Sequence, residues 1–242
     1  MFNAAKTKND IIDWIRGYFE KEGSNCIAVI GLSGGKDSSV TATLCVQALS
    51  AQRVFGVLLP QGQQYDIEYS LELAAHLGIK YIIINIKDSV DILLSSLKES
   101  GLSANKQVLI NSPSRIRMAA LYAVSAIKNG RVANTSNLSE DWVGYTTKYG
   151  SAAGDFSPLS RLTNTEVKLI GKELALPSKF IDKIPEDGLS GLTDEENLGF
   201  SYDVLDKYIR EGICEDAAIK EKIDSLHQAN KHKLMLMPCF EL

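Results

Sequence analysis

Cys26-Ile27-Ala28-Val29-Ile30-Gly31-Leu32-Ser33-Gly34-Gly35-Lys36-Asp37-Ser38 is the stretch on which the reading of this chain turns. Cys26–Ile30 is a short apolar run with β-branched residues, bounded by Asn25 and Gly31, which predicts a buried strand. A helical pattern from about Ser38 to Ala51 follows. Between them, glycines let the backbone bend sharply and approach a ligand with no Cβ in the way. Amide N–H groups opening the helix point into the bend, and the helix dipole favours negative charge there. The construction predicts a phosphate cradle, with Ser33 and Ser38 adding hydroxyl donors.

On either side the chain keeps to the same alternation. Ile11, Ile12, Ile15, Tyr18 and Phe19 give Asn9–Glu22 a helical period. Val54–Leu59 reads as a second strand, and Glu68–Leu77 as a helix closed by Gly78. Tyr81–Ile84 is a third strand. Helices are expected at about Val90–Ser100 and Ser114–Lys128, before a fourth strand at Arg131–Ala133. Such alternation predicts parallel strands joined by right-handed crossover helices. Gly144–Phe156 reads as a functional loop. Thr163-x-x-Glu166 is a capping box opening a helix that stops before Pro177. A second loop spans Lys183–Gly199, and a mostly helical tail runs to about Lys231. The expected fold is α/β, a Rossmann-like parallel sheet with helices on both faces and a helical C-terminal portion. Residues 1–242 are read as one domain.

Composition narrows the function. The 242 residues are 45% hydrophobic, an ordinary globular mixture. A net charge of −4 with no basic cluster argues against a nucleic-acid surface. No signal peptide is visible, and no apolar run approaches the roughly 20 residues needed to cross a bilayer. Cys26, Cys45, Cys214 and Cys239 are scattered, with no C-x-x-C pair, which fits a reduced, cytoplasmic setting. Cys26 and Cys45 lie in apolar runs and read as core.

The bend is not a Walker A loop, because Lys36 is followed by Asp37 rather than a hydroxyl. Its glycine spacing also fails the dinucleotide fingerprint. What remains, S-G-G-x-D-S after a first strand, resembles the PP-loop of N-type ATP pyrophosphatases, which cleave ATP to AMP and pyrophosphate. Asp37 suits a magnesium ligand, since a hard cation wants carboxylate oxygen beside phosphate oxygen.

A second constellation narrows the resemblance. Asn134-Thr135-Ser136-Asn137-Leu138-Ser139-Glu140 leaves the fourth strand at its carboxyl end, the edge where open α/β sheets bind ligands. With T-K-Y-G at 147–150, D-x-x-P-L at 155–159, L-G-x-S-Y-D-x-L-D at 198–206 and His232-Lys233, the chain resembles the ammonia-dependent NAD synthetases over nearly its whole length. The resemblance implies an adenine nucleotide alpha hydrolase-like fold and ATP-dependent adenylation of the nicotinate carboxylate of deamido-NAD. Ammonia then displaces AMP to give NAD. It implies that Gly31, Leu32, Ser33, Gly34, Gly35, Lys36, Asp37, Ser38 and Thr135 contact ATP, as do the positions of Asn164 and Glu186. Mg²⁺ would lie on Asp37 and Glu140. Arg115, Tyr145, Lys148, Asp155, His232 and Lys233 would contact deamido-NAD, with Asp37, Lys148 and Asp155 closest to catalysis. A homodimer with the dinucleotide site near the subunit interface is also implied. No glutaminase domain is expected, so free ammonia is the expected nitrogen donor. His76 and His227 fall in no motif and read as structural.

Three positions depart from the family pattern. Leu58 stands where an arginine is frequent near the end of the second strand. Asn164 replaces a lysine, and Glu186 replaces a small hydroxyl after Pro185. These bear on adenine and phosphate contacts rather than on reaction class. Other PP-loop chemistries fit less well. Thiolation needs a reactive cysteine and a basic RNA surface. GMP formation normally works with a glutaminase partner. A nucleotide sensor would have little use for paired magnesium carboxylates.

Overall fold

The structure, a computed structural model, describes residues 2–183 and 193–240. Helix α1 (Ala4–Glu22) starts earlier than its apolar period suggests, because the Asn3 side chain accepts the Lys6 N–H at 3.0 Å and caps it. The chain then enters β1 (Ile27–Gly31), α2 (Lys36–Leu49), β2 (Val54–Leu58), α3 (Ile67–Leu77) and β3 (Lys80–Ile83). Helices α4 (Lys87–Glu99) and α5 (Lys106–Lys128) lead to β4 (Gly130–Val132). Helix α5 runs through Pro113, where a boundary was expected. Proline removes one N–H and crowds the preceding turn. Here the Asn105 cap, accepting from Val108 N at 3.0 Å, and the apolar face beyond outweigh that loss.

The four strands are all parallel, in the order β3-β2-β1-β4. From β1 the chain winds one way to β2 and β3, then returns along α5 to place β4 on the other side of β1. The order therefore reverses between β1 and β4, and a crevice opens beyond their carboxyl ends. Ile15, Phe19, Ile30, Leu44, Leu58 and Ile170 centre the core on one face. Val29, Val57, Val90, Leu121 and Val132 centre it on the other, under α4 and α5. Helices thus cover both faces, as the alternation predicts.

Beyond β4 the described residues form the helices α6 (Leu138–Val143), α7 (Asn164–Glu173), α8 (Ser178–Ile181), α9 (Asp194–Leu198), α10 (Tyr202–Glu211) and α11 (Ala217–Asn230), with a long loop between α6 and α7. Part of the segment expected as a loop over Lys183–Gly199 is helical. Thr193 and Glu196 form a reciprocal capping box that starts α9. The first part of that loop, with Glu186, lies outside the described residues. Val143, Leu198, Leu205 and Ile223 gather α6, α9, α10 and α11 into a third apolar cluster.

One buried carboxylate joins this cluster to the rest. Asp206 on α10 accepts the Ser139 hydroxyl from α6 through Oδ1 and the Thr165 N–H from the first turn of α7 through Oδ2, the latter at 2.7 Å. Ser139 Oγ in turn accepts Asn164 N–H at 3.0 Å. Replacing Asp206 by Ala would leave these buried donors unpaired, a loss of about 2–3 kcal/mol. Urea unfolding of Asp206→Ala should show a lower midpoint at unchanged slope, with a smaller loss for Asp206→Asn.

Candidate active site

The bend after β1 folds on its own hydroxyls. Ser33 Oγ accepts Gly35 N–H at 3.3 Å and lies 3.1 Å from Ser38 Oγ, which also donates to Gly35 O at 3.0 Å. Gly34 has φ +76°, and a Cβ there would stand 2.7 Å from Tyr69 Cβ. Only glycine meets both demands. Gly35 caps α2 with no side-chain hydrogen bond, so the first-turn amides are available to a ligand.

Asp37 opens α2, and Glu140 lies on α6, just past the carboxyl end of β4. Asn137 joins them. Its Nδ2 donates to Asp37 Oδ1 at 3.0 Å and to Glu140 Oε1 at 2.8 Å. Its Oδ1 accepts Glu140 N–H at 3.1 Å, so the same side chain caps α6. Burial, followed by the Asp37 charge, pushes the Glu140 carboxyl well above the usual carboxylate range, with Lys36 opposing. Such a pair attracts a cation. Among the described residues no group of three or more His, Cys, Asp or Glu side chains is arranged to hold a metal alone. An ion here would complete its shell with phosphate oxygens and water.

Lys36 is part of this cluster rather than an outward phosphate hook. Its Nζ lies 2.7 Å from Asp37 Oδ2, and its side chain is 1% exposed. Asp194, on α9, is near enough for its charge to act on Lys36 and Glu140. Tyr202 donates its hydroxyl to Asp194 Oδ2 at 3.3 Å. Burial raises the Tyr202 phenol, and Glu140, Asp194 and Asp37 raise it further. Asn137, Asp194 and Tyr202 lie in the quoted runs or beside them, yet their roles had no sequence signature. The asparagine spaced three residues before Glu140 is a cap pattern that could have marked the start of α6, though not its bridge to Asp37.

A second group of expected residues meets around a cavity of about 400 Å³ lined by Arg115, Lys148, Asn230, His232 and Lys233. Arg115 Nε donates to Lys148 O at 3.1 Å, and Lys148 Nζ donates to His232 O at 2.7 Å. Lys233 Nζ donates to Gly144 O at 2.6 Å and Thr146 O at 3.0 Å, and burial lowers its pKa. The late His-Lys pair is thus brought to the loop that carries Lys148, 84 residues earlier for the Lys148–His232 contact. Tyr145 lies between this loop and α9, where Asn197 Nδ2 donates to its hydroxyl at 3.5 Å.

Asp155 does not line this cavity. Its Oδ2 accepts Val132 N–H at 2.7 Å and its Oδ1 accepts the Tyr122 hydroxyl at 3.2 Å. The chain here returns beside β4 through the parallel bridge Ala133–Phe156, which ties the carboxylate to the strand's backbone. Thr135 leaves β4 partly exposed, next to Asn134, whose side chain holds Ser151 O, Ala153 O and Ser136 N–H. Asn164 is buried, and its Nδ2 has no hydrogen-bond partner among the described residues. Leu58 is buried in the sheet. A guanidinium nevertheless reaches the end of β2 from α5, where Arg117 Nε donates to Leu59 O at 3.0 Å. His227 stacks on Trp142 with centroids 4.2 Å apart and bonds its carbonyl, a structural role as expected.

Comparison with known proteins shows the family. The sequence profile of the family described as NAD synthase matches residues 7–237. The NH(3)-dependent NAD(+) synthetase of Pyrococcus horikoshii is 36% identical, over 96% of this chain and 95% of its own. Among solved structures, an NMN synthetase from Francisella tularensis superposes with a TM-score of 0.90 at 31% identity, covering 100% of both chains. The NH3-dependent NAD synthetase of Campylobacter jejuni superposes with a TM-score of 0.80 at 31% identity, over 99% of this chain and 100% of its own. Sequence and fold agree along nearly the whole chain, and this chain belongs to the NAD synthase family.

Proposed function

We propose that this chain amidates the nicotinate carboxylate of deamido-NAD with free ammonia, forming NAD while ATP is cleaved to AMP and pyrophosphate. The observation that carries the reading is the convergence of Asp37 and Glu140 on one asparagine amide beside the open amides of α2. The amides of the bend bind the ATP phosphates, with Ser33 and Ser38 shaping the cradle. Asp37 and Glu140 hold Mg²⁺, which offsets phosphate charge as the nicotinate carboxylate attacks the α-phosphate. Arg115, Lys148 and Lys233 bind the dinucleotide, the guanidinium by bidentate geometry and the ammonium groups as point charges. Tyr145 stacks on the pyridine ring. Asp155 acts through Val132 and Tyr122, fixing the loop that presents Lys148. Ammonia then attacks the acyl-adenylate carbonyl and AMP leaves.

One observation favours a second reading. The Francisella tularensis NMN synthetase superposes over its full length with the higher of the two TM-scores above. The substrate would then be the nicotinate mononucleotide, with the same adenylation chemistry and a shorter ligand.

We also propose that the chain works as a homodimer. Ile92 and Leu93 on α4, with Leu109, Ile110 and Ile127 on α5, are exposed, Ile127 by 81%. Leu109 and Ile127 lie about five whole turns apart on one side of α5. The same helix supplies Arg115 to the cavity, so a second copy on this face would sit beside the dinucleotide. Among the described residues no helix is long and apolar enough to cross a membrane. The four cysteines are free, in keeping with a reduced cytoplasmic setting.

Four measurements test these readings. With ATP, magnesium and ammonium, AMP and pyrophosphate should form with deamido-NAD at a higher kcat/KM than with nicotinate mononucleotide. The reverse order would assign the chain to the shorter substrate, and ADP as product would sink both. Asp37→Ala should lower AMP release about a hundredfold or more in a chain that still folds but melts below the wild type, because the buried Lys36 ammonium loses its nearest anion. Lys148→Met should lower kcat/KM for the dinucleotide about ten- to hundredfold, chiefly through KM, as expected for one lost charged hydrogen bond. In sedimentation velocity the wild type should run as a dimer and the Ile92→Glu/Ile127→Glu double variant as a monomer.

A further inference from the structure

Binding phosphate through backbone amides does not require a lysine inside the bend, yet Lys36 stands there with its whole side chain buried. Its ammonium, 2.7 Å from Asp37 Oδ2, does not face outward toward a ligand. Asp37 Oδ1 is taken by the Asn137 amide, at 3.0 Å. Both oxygens of the carboxylate are therefore engaged before any divalent ion arrives, and one of them is engaged by a cation. Burial alone would strip the charge from a lysine. Asp37 in direct contact, with the Glu140 and Asp194 charges nearby, supplies the negative charge that so buried an ammonium requires. Three carboxylates and one ammonium leave the cluster with two negative charges in excess when all are ionised.

We propose that Lys36 is a tethered counter-ion of the metal-binding carboxylates: it holds Asp37 beside Glu140 in the empty enzyme, and a divalent cation gains Asp37 only as the ammonium passes to nucleotide phosphate. The inference rests on the reading of Asp37 and Glu140 as the magnesium carboxylates. The physical reason is the cost of a buried charge left alone. A cation entering without nucleotide would compete with the ammonium for Asp37 and Glu140, leaving it Asp194 alone of the three carboxylates whose charge reaches it, which is unfavourable. With nucleotide present, phosphate oxygens supply another anion, at the neighbouring amides of α2. A lysine suits the exchange because its charge is compact and its four-carbon stem flexible. Metal and nucleotide then bind with positive coupling, which must act equally in both directions.

The test uses Mn²⁺ as a paramagnetic probe on the full chain. It is titrated by electron spin resonance with and without α,β-methylene-ATP, which cannot be cleaved at the reacting bond. In the wild type Mn²⁺ alone should bind weakly, and the analogue should tighten it about tenfold or more. In Lys36→Met, Mn²⁺ alone should bind about tenfold tighter than in the wild type, and the analogue should add little. The metal-free variant should melt below the wild type in chelator, and Mn²⁺ should restore it. Lys36→Gln keeps a donor to Asp37 while removing the charge, so it decides the question if the methionine variant does not fold. A folded variant that binds Mn²⁺ no tighter than wild type, or keeps the full nucleotide coupling, overturns the counter-ion role. So does failure of both variants to fold even in saturating Mn²⁺, since the lysine would then be a packing requirement. Absence of Mn²⁺ binding to the wild type under either condition sinks the magnesium reading itself, and this inference with it.

Discussion

Two carboxylates that lie far apart in the chain share one amide nitrogen. Asn137 holds Asp37 and Glu140 together across a sequence separation of 100 residues for the Asp37 contact. Like charges in a buried site repel, so this arrangement persists only because cations and donors surround it. The Asn137 amide supplies one donor and the Lys36 ammonium a full charge. Everything needed to position that cluster is found in the sheet order. β1 delivers the bend and α2, β4 delivers Asn137 and α6, and their adjacency makes the crevice.

The C-terminal helices extend this arrangement outward. Asp206 ties α10 to α6 and α7, and Glu166 accepts the Arg210 guanidinium at 2.8 Å from Nε. Helix α9 brings Asp194 to the carboxylate cluster, while the end of α11 brings His232 and Lys233 to Lys148. One helical portion thus contributes at two places on the sheet's edge, the carboxylate cluster and the cationic cavity. The distribution suits a reaction that must bring an anionic dinucleotide to anionic ATP. Positive charge is arranged on one side, and a metal-accepting pair on the other.

Reading the chain residue by residue recovered most of the strands and helices, because their apolar periods agree with their caps. It misplaced the start of α5, where Pro113 looked like a boundary. Local rules see the lost N–H but not the buried face made by Met118, Leu121 and Val124 further along the helix. It could not foresee that the Asp155 carboxylate also holds the backbone of β4 and the Tyr122 hydroxyl. A polar residue in a conspicuous motif has the same signature whether it meets a ligand or its own chain. Asp194 and Tyr202 went unassigned for the converse reason. Nothing in T-D-E or S-Y-D says that a short capped helix will carry them back to the first strand.

The sequence by itself determined the glycine-rich bend, the parallel alternation and the family. Each of these depends on short-range constraints: a glycine with positive φ, a strand entering a helix, and the spacing of apolar residues. Only the tertiary structure decided that Lys36 turns inward onto Asp37, that Asn137 bridges the two carboxylates, and that the His-Lys pair closes on the Lys148 loop. Those contacts join segments remote along the chain. Their strength comes from burial and from charges meeting at low dielectric, quantities that exist only once the chain has folded.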